Sequence, residues 1–216
     1  MDNSADLLQK GREWIANHQG FAQVYPDYRI WDLLQESYHF HRFLTEVEDI
    51  LQSQLKNSSE SEENYLPLIR KLVRKLIINS YWIQNQYLEP CHKTGVSVLN
   101  LYDEIGFPLT VQSVTFSPGF SSPTHNHGTW GVVAILKGLE KNTFWQQVYD
   151  PNLGTKIMPI GDITLMPGDI ISFTPNAIHR IEAISSEPLV TFNIYGETQA
   201  SQRFEFDPIT QQCKKY

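Results

Sequence analysis

The stretch Pro123-Thr124-His125-Asn126-His127-Gly128-Thr129-Trp130-Gly131 is the most informative part of this 216-residue chain. In an extended segment, residues two apart point to the same face, so the imidazoles of His125 and His127 are expected to converge on one point. A third histidine, His179, closes the later run Pro175-Asn176-Ala177-Ile178-His179. Three neutral imidazoles that leave open positions are a recognised ligand set for a catalytic metal. If a barrel brings His179 beside the pair, the chain carries a three-histidine metal site.

The sequence around this stretch, from residue 91 to residue 216, has the pattern of a β domain. Candidate strands rich in Val, Ile, Thr, Phe and Tyr cover residues 96–101, 109–116, 131–136, 143–149, 170–173 and 190–195. Turn residues recur between them, as in Ser117-Pro118-Gly119. Many short strands separated by such turns predict a mainly β sandwich or barrel.

Residues 1–90 show helical periodicity instead. A first helix is predicted over 5–17, and apolar residues recur at steps of three, four or seven through 30–55 and 66–83. The polar, acidic residues 57–64 predict a loop. The segment 66–83, the third predicted helix, contains a basic run made of Arg70, Lys71, Arg74 and Lys75. This run is interpreted as a solvated helix face. The apolar faces need a partner, so the helices are expected to form a layer on the barrel.

Composition restricts the class of protein. The net charge of -7 argues against a nucleic-acid-binding surface or a surface for anionic membranes. The sequence shows neither a signal peptide nor an apolar run long enough to span a membrane. The two cysteines, Cys91 and Cys213, do not make a disulfide framework. These features predict a cytoplasmic protein with no nucleic-acid or membrane partner.

The remaining histidines give weaker signals. His39 and His41 have the same spacing as the site pair, but they fall in a helical period, where side chains two apart diverge, so no metal is expected there. His18 and His92 lie alone near segment ends and are expected at the surface. For His125, His127 and His179, the alternative to a metal site is that all three are buried and that each is satisfied by ordinary hydrogen bonds.

Two stretches around the site histidines resemble the motifs of the cupin superfamily. Residues 123–138 look like the first motif, a glycine-led His-x-His followed by an acidic residue and a glycine. Residues 168–179 look like the second, in which Pro-Gly-Asp leads through a strand to the third histidine. The resemblance implies a cupin double-stranded β-helix, or jelly-roll barrel, with His125, His127 and His179 as metal ligands.

Gly131 departs from the first motif, because most cupins carry a glutamate ligand at this position. Loss of that carboxylate is characteristic of thiol dioxygenases, namely the cysteine dioxygenase family and the related 3-mercaptopropionate dioxygenases. The runs at 127–133 and 142–145 are similar to the bacterial branch of that family. The resemblance covers residues 96–195 and implies one Fe(2+) per chain, with a small thiol and O2 as substrates and a sulfinic acid as product. Three neutral imidazoles leave the full +2 charge on the metal, which favours binding of a thiolate.

Residues 190–195 resemble the strand that carries a Ser-His-Tyr hydrogen-bonded relay in that family. This chain has Thr191, Asn193 and Tyr195, which strand alternation places on one face. The resemblance implies a catalytic role for Tyr195, supported by Asn193 and Thr191. An amide cannot act as an acid or a base near neutral pH, so Asn193 puts the usual proton relay in doubt.

The arginine that holds the substrate carboxylate in cysteine dioxygenases has no counterpart at the matching position, which falls near Leu99 and Asn100. Arg180, next to His179, is one candidate for that role, and Arg203 is a weaker one.

The sequence therefore predicts a mononuclear non-haem iron(II) thiol dioxygenase, a monomer or a homodimer, with an N-terminal helical layer on a cupin barrel. Two other functions stay open. The chain could be a cupin that binds a metal or a small molecule without turnover, or it could be a zinc or nickel cupin enzyme, since three histidines also suit zinc.

Overall fold

The computed structural model describes residues 11–20, 22–25, 38–56, 61–151 and 154–215. Two α-helices, α1 (Phe40–Lys56) and α2 (Glu62–Asn79), precede the main run of strands, and a short 3-10 turn follows them at Ile83–Asn85. The strands of the described residues are β1 (Glu13–Ala16), β2 (Ala22–Tyr25), β3 (Val96–Asp103), β4 (Leu109–Phe116), β5 (Thr124–His125), β6 (Gly131–Lys137), β7 (Glu140–Asp150), β8 (Gly154–Leu165), β9 (Ile170–Phe173), β10 (Ile178–Ala183), β11 (Leu189–Gly196), β12 (Phe204–Phe206) and β13 (Cys213–Lys215).

The strands form two sheets that enclose a cavity. Sheet I has the order β2-β1-β9-β6-β11-β4-β3, and sheet II has the order β13-β12-β5-β10-β7-β8. From β4 to β12 the chain passes back and forth between the sheets, and only β7 and β8 follow one another in the same sheet. This winding is the double-stranded β-helix of cupins, so the predicted mainly β fold with helices on its N-terminal side is confirmed.

The two helices cover the outer face of sheet I. Their apolar residues form one cluster with the outward side chains of that sheet, among them Phe43 and Leu76 from the helices and Phe192 from β11. Because both faces of sheet I are covered, β6 is buried along nearly its whole length and contains an unbroken apolar run. The helical layer therefore leaves the opposite face of sheet I to line the cavity.

The sequence located six of the thirteen strands that the described residues form. The predicted strands 109–116 and 170–173 have the bounds observed for β4 and β9, and the other four predicted strands are each longer in the structure by one to three residues at an end. The prediction missed β8, β10 and the short strands β5, β12 and β13. These five strands belong to sheet II, whose alternating polar residues weaken the apolar signal, and β1 and β2 of sheet I were missed as well.

The predicted helix over 5–17 is wrong where the structure describes it. Residues 13–16 form β1, which pairs in parallel with β9 and antiparallel with β2. Trp14 and Ala16 pack into the barrel interior, so this short segment gains its stability from the edge of sheet I and not from a helical face. Residues 5–10 lie outside the described part of the chain, as do residues 30–37 of the second predicted helix and 57–60 of the predicted acidic loop.

The interpretation of the basic run as a solvated face is also wrong for two of its four members. The side chains of Arg70 and Arg74 have exposed fractions of 0% and 3%, and both form ion pairs with Glu13 of β1. The two arginines are one helical turn apart and reach the same carboxylate. Arg70 also donates to the hydroxyl of Ser172. This buried cluster joins α2 to β1 and β9.

Other sequence expectations concern the surface. His18 and His92 are exposed, and both cysteines are free thiols, with Cys91 partly buried and Cys213 exposed. In the part of the chain that the structure describes, no helix combines the length and the apolar character needed to cross a membrane.

Candidate metal centre

The structure brings His125, His127 and His179 together on one wall of the cavity. His125 ends β5 and lies opposite His179 of β10 in the antiparallel register. His127 follows on the same side of the chain, as residues two apart do in extended backbone. The ligand nitrogens available on the three side chains all lie within 4.8 Å of one another. Strand pairing of two distant motifs thus creates the cluster.

The residues between and beside the first two histidines hold them in place. The buried Asn126 points away from the cavity, where its amide accepts from the Phe204 backbone N–H at 2.7 Å and donates to the Gln202 carbonyl at 2.9 Å. Gly128 has φ +63, and a Cβ atom there would lie 3.0 Å from the Gln199 carbonyl oxygen. Only glycine fits this turn without strain, so the chain leaves the histidine pair along a fixed path.

Hydrogen bonds on the far side of two rings determine which nitrogen faces the cluster. His125 Nδ1 lies 2.9 Å from the Pro123 carbonyl, and His179 Nδ1 lies 2.8 Å from Asn142 Oδ1. Both partners are acceptors, so each Nδ1 carries the proton and each Nε2 presents a lone pair. The Nε2 atoms of His127 and His179 are 2.9 Å apart. Two nitrogens bound at about 2.1 Å to one ion, at a right angle, would be separated by about 3.0 Å. The donor set therefore fits a divalent transition metal.

Burial keeps the three imidazoles neutral. It lowers the pKa of His125, and it lowers the pKa of both His127 and His179 well below the usual value. Repulsion among the rings themselves acts in the same direction for His127 and His179. Neutral imidazole is the form that binds metal, so no proton has to be removed from these rings near neutral pH.

Asn142 and Glu140 extend the site into β7, and the sequence did not identify either residue. Asn142 is fully buried; its Oδ1 accepts from His179, and its Nδ2 donates to Glu140 Oε1 at 2.6 Å. The predicted strand began at Thr143, although β7 begins at Glu140. Alternation from the observed start places 140, 142 and 144 on the cavity side, and this is the signal that could have found them.

Tyr195 and Gly131 face each other across β11 and β6. The Tyr195 ring stacks on His127, with 5.3 Å between ring centroids and 21° between planes. A Cβ atom on Gly131 would lie 2.8 Å from that ring, closer than real contacts allow. The place from which a carboxylate ligand would extend is thus occupied by the tyrosine. With the Tyr195 ring in this position, residue 131 has no room for a side chain, and glycine fits there.

The other two residues predicted on this strand also face the cavity. Thr191 and Asn193 are buried and hydrogen-bonded to each other, with 2.9 Å between Thr191 Oγ1 and Asn193 Nδ2. Among the hydrogen bonds of the described residues, none joins Asn193 to Tyr195. Thr191, Asn193 and Tyr195 thus face the same cavity, as strand alternation predicts. The hydrogen bonds between described residues link Thr191 to Asn193 but do not continue to Tyr195.

The cavity beside the histidines has a volume of about 340 Å³ and is lined by residues of both sheets. Arg203 is part of the lining, whereas Arg180 donates to Glu182 at 2.9 Å and lies over the Trp145 ring. Leu99 and Asn100 do not line it, but Gln112, which donates to Asn100 Oδ1, does. Of Arg180 and Arg203, the two arginines predicted as candidates for binding a substrate carboxylate, only Arg203 lines the cavity.

His39 and His41 do not diverge as predicted. His39 precedes the first turn of α1, and its ring stacks on His41 with 5.7 Å between centroids. Both side chains are exposed. Among the described residues, His125, His127 and His179 form the one group of three or more potential metal ligands, and it does not include this helical pair.

Replacing Asn142 with leucine is expected to weaken metal binding by about 10–100-fold, because the Nδ1 proton of His179 loses its acceptor and the ring its fixed orientation. Competition with a chromophoric chelator under argon measures the affinity for Zn²⁺ or Fe²⁺. Gln147→Leu, at an exposed position of the same strand, is the matched control. An unchanged affinity in Asn142→Leu would mean that ring packing alone, including Phe173 at 4.4 Å, orients His179.

Comparisons with known proteins concern the fold. No protein-family model matches the chain. A solved structure of oxalate oxidase with the substrate analogue glycolate is similar over 53% of this chain and 57% of that chain, with 12% identity and a TM-score of 0.40. An uncharacterized conserved protein with a double-stranded β-helix domain from Klebsiella pneumoniae is similar over 54% of this chain and 83% of its own, with 14% identity and a TM-score of 0.41. A cupin-like protein from Thermotoga maritima is 25% identical over 50% of this chain and 71% of its own, with a TM-score of 0.35. The matched part thus spans little more than half of the oxalate oxidase chain.

Proposed function

We propose that His125, His127 and His179 bind one Fe(2+) ion and that the protein is a thiol dioxygenase. The reaction would add both atoms of O2 to the sulfur of a small thiol, so that RSH and O2 give RSO2H without a further reductant. The observation that carries this proposal is the convergence of three neutral imidazoles at a cavity wall where Tyr195 occupies the place of a fourth, anionic side chain.

The charge of the ligand set favours a thiolate. Three neutral histidines leave the +2 charge of the ion uncompensated, whereas a carboxylate ligand would reduce it. When bound, Fe(2+) would supply open coordination positions for a thiolate and for dioxygen, and holding both at one centre would remove most of the cost of orienting them. The cavity of about 340 Å³ suits a ligand of few atoms.

Tyr195 is the hydrogen-bond donor beside the reacting groups. Enclosure in the cavity raises the pKa of its hydroxyl, and the Glu140 carboxylate adds to this increase. Tyr195 therefore keeps its proton near neutral pH and donates it in a hydrogen bond to a ligand held at the histidines. Thr191 and Asn193 are bonded to each other and form the adjoining cavity wall.

Arg203 is the candidate anchor for an anionic group on the substrate. It lines the same cavity as the three histidines, and its positive charge adds to the lowering of the pKa of His125 and His127 that burial causes. A guanidinium offers paired donors to a carboxylate. Arg203 would then hold the substrate carboxylate in place of an arginine near Leu99.

A second candidate function is a cupin that binds a metal and a small molecule without turnover. The specific observation in its favour is the pair Thr191 and Asn193, which holds an amide where the thiol dioxygenases carry an ionisable histidine. An amide cannot carry a proton to or from the reacting groups near neutral pH.

Oxygen uptake by the iron-loaded protein separates the two functions. We expect uptake with at least one of cysteine, 3-mercaptopropionate, 2-aminoethanethiol and 2-mercaptoethanol, one O2 for each thiol consumed, and a sulfinic acid product detected by mass spectrometry. The zinc-loaded protein is the control and should consume no oxygen. Tight iron binding without uptake for any thiol would support the binding protein, and a preference for zinc or nickel in metal analysis of the purified protein would support a different cupin enzyme.

A further inference from the structure

Glu140 is a buried carboxylate in the cavity wall that the proposed reaction does not use. Its residue is 3% exposed, and its side chain lines the same cavity as the three histidines. In the antiparallel registers its neighbours are Ala183 on β10 and Leu165 on β8, both apolar. A carboxylate in such surroundings is rare unless a positive charge balances it.

The described residues provide one polar partner for Glu140, the amide of Asn142 at 2.6 Å. Glu140 is not a member of any ion pair between described residues. An ionised carboxylate accepts about four hydrogen bonds, so acceptor sites remain open on the cavity side. Burial accordingly raises the pKa of Glu140 to about 7, against a smaller lowering by the bond from Asn142.

Asn142 needs an acceptor at this point, but not a charged one. A glutamine would accept the same hydrogen bond through its carbonyl oxygen. A merely supporting role for Glu140, the last residue of the His179–Asn142–Glu140 chain, therefore does not explain why a carboxyl group is buried here. A positively charged group that enters the cavity would explain it, because the pairing offsets the cost of burying the carboxylate.

We propose that Glu140 binds a protonated amine of the ligand, and thus that this cavity selects molecules with a cationic nitrogen at the end away from the histidines. Because Glu140 and the histidines line one cavity, a small ligand held at the cluster can present its other end to the carboxylate. For a thiol ligand the inference rests on the proposed function; the amine subsite itself does not require the sulfur chemistry.

Matched ligands test the subsite by binding and not by turnover. Cobalt-loaded protein under argon is titrated with 2-aminoethanethiol and with 2-mercaptoethanol, which differ in the ammonium and hydroxyl groups, and the thiolate-to-metal absorption band gives each dissociation constant. We expect wild type to bind the aminothiol at least about tenfold more tightly, as for a hydrogen bond between charged groups. Glu140→Gln should bring the two constants within about twofold, whereas Glu182→Gln, a glutamate paired with Arg180 outside the cavity, should keep the preference.

The outcomes separate this inference from the proposed function. Equal affinities in wild type, or a preference that persists in Glu140→Gln, would overturn the amine subsite while thiolate binding stands. If no absorption band forms with either thiol, the thiol function fails. Calorimetric titration with n-propylammonium and with propan-1-ol then tests the amine subsite, by whether wild type prefers the ammonium ligand and Glu140→Gln does not. The comparison within wild type keeps the test valid even if Glu140→Gln folds poorly.

Discussion

Replacement of His179 by alanine is expected to lower the affinity for a divalent metal by on the order of 10²–10³-fold. Structural zinc sites with four ligands bind with about 10–16 kcal/mol, so one ligand contributes roughly a quarter of that. His179 is the only one of the three histidines that is fully buried, and it lies 2.9 Å from the Nε2 atom of His127. Removing the His179 imidazole leaves His125 and His127, which lie in one short segment, and no ligand from β10.

Thermal unfolding measures this loss separately from any damage to the fold. A metal that binds only the native state raises the melting temperature with its concentration relative to Kd, so the quantity compared is the increase on adding metal to each metal-free protein. We expect a large increase for wild type and for His92→Ala, an exposed histidine outside the site, and little for His179→Ala. His127→Ala, at a less buried position, should behave like His179→Ala. A full increase in both site variants would exclude the assigned ligands.

The candidate cluster could be predicted because its geometry depends on local rules. Two histidines two apart in extended backbone share a face, whatever fold surrounds them. The same alternation placed Thr191, Asn193 and Tyr195 toward the cavity. The proximity of His179 was the long-range step, and it followed from the resemblance to cupin motifs and not from spacing.

Residues missed near the cluster depend on strand ends, which local sequence specifies poorly. The predicted strand that corresponds to β7 began at Thr143, and this shift of three residues left out Glu140 and Asn142. Glu140 follows a glycine turn at Gly138, where φ is +76, so it resembles a polar turn residue. Its burial results from the neighbouring strands β8 and β10, whose identity as strands was also missed.

The error in the N-terminal region has a different cause. The four residues of β1 are too few to show a period, and they are stabilised by pairing with β9 far along the chain. The arginines of α2 were assigned to solvent because charged residues at helical spacing usually lie there. Glu13 makes their burial possible because it forms ion pairs with both arginines. Only a correct prediction of β1 would have placed this carboxylate opposite Arg70 and Arg74.

Replacement of Glu13 by alanine is expected to destabilise the protein by about 3–5 kcal/mol, the usual cost of removing one partner from a buried ion pair. Glu13 Oε2 lies 3.0 Å from Arg70 Nε, and Glu13 Oε1 lies 3.2 Å from Arg74 Nε. Without the carboxylate, two buried guanidinium groups lose their ion pairs with β1. Such a loss is a large share of the roughly 5–15 kcal/mol that holds most domains folded. Urea unfolding followed by circular dichroism measures it.

A second variant distinguishes charge imbalance from loss of packing at β1. If the imbalance dominates, replacing all three residues with apolar ones, as in Glu13→Leu with Arg70→Met and Arg74→Met, should recover most of the stability lost in Glu13→Ala. Asp162→Ala removes the partner of Lys141 in a half-exposed pair and should cost less than about 1 kcal/mol. A triple variant as unstable as Glu13→Ala would instead show that the hydrogen bonds of the arginines to Ser172 and to the Gly11 and Gly168 carbonyls hold β1 and β9 against α2.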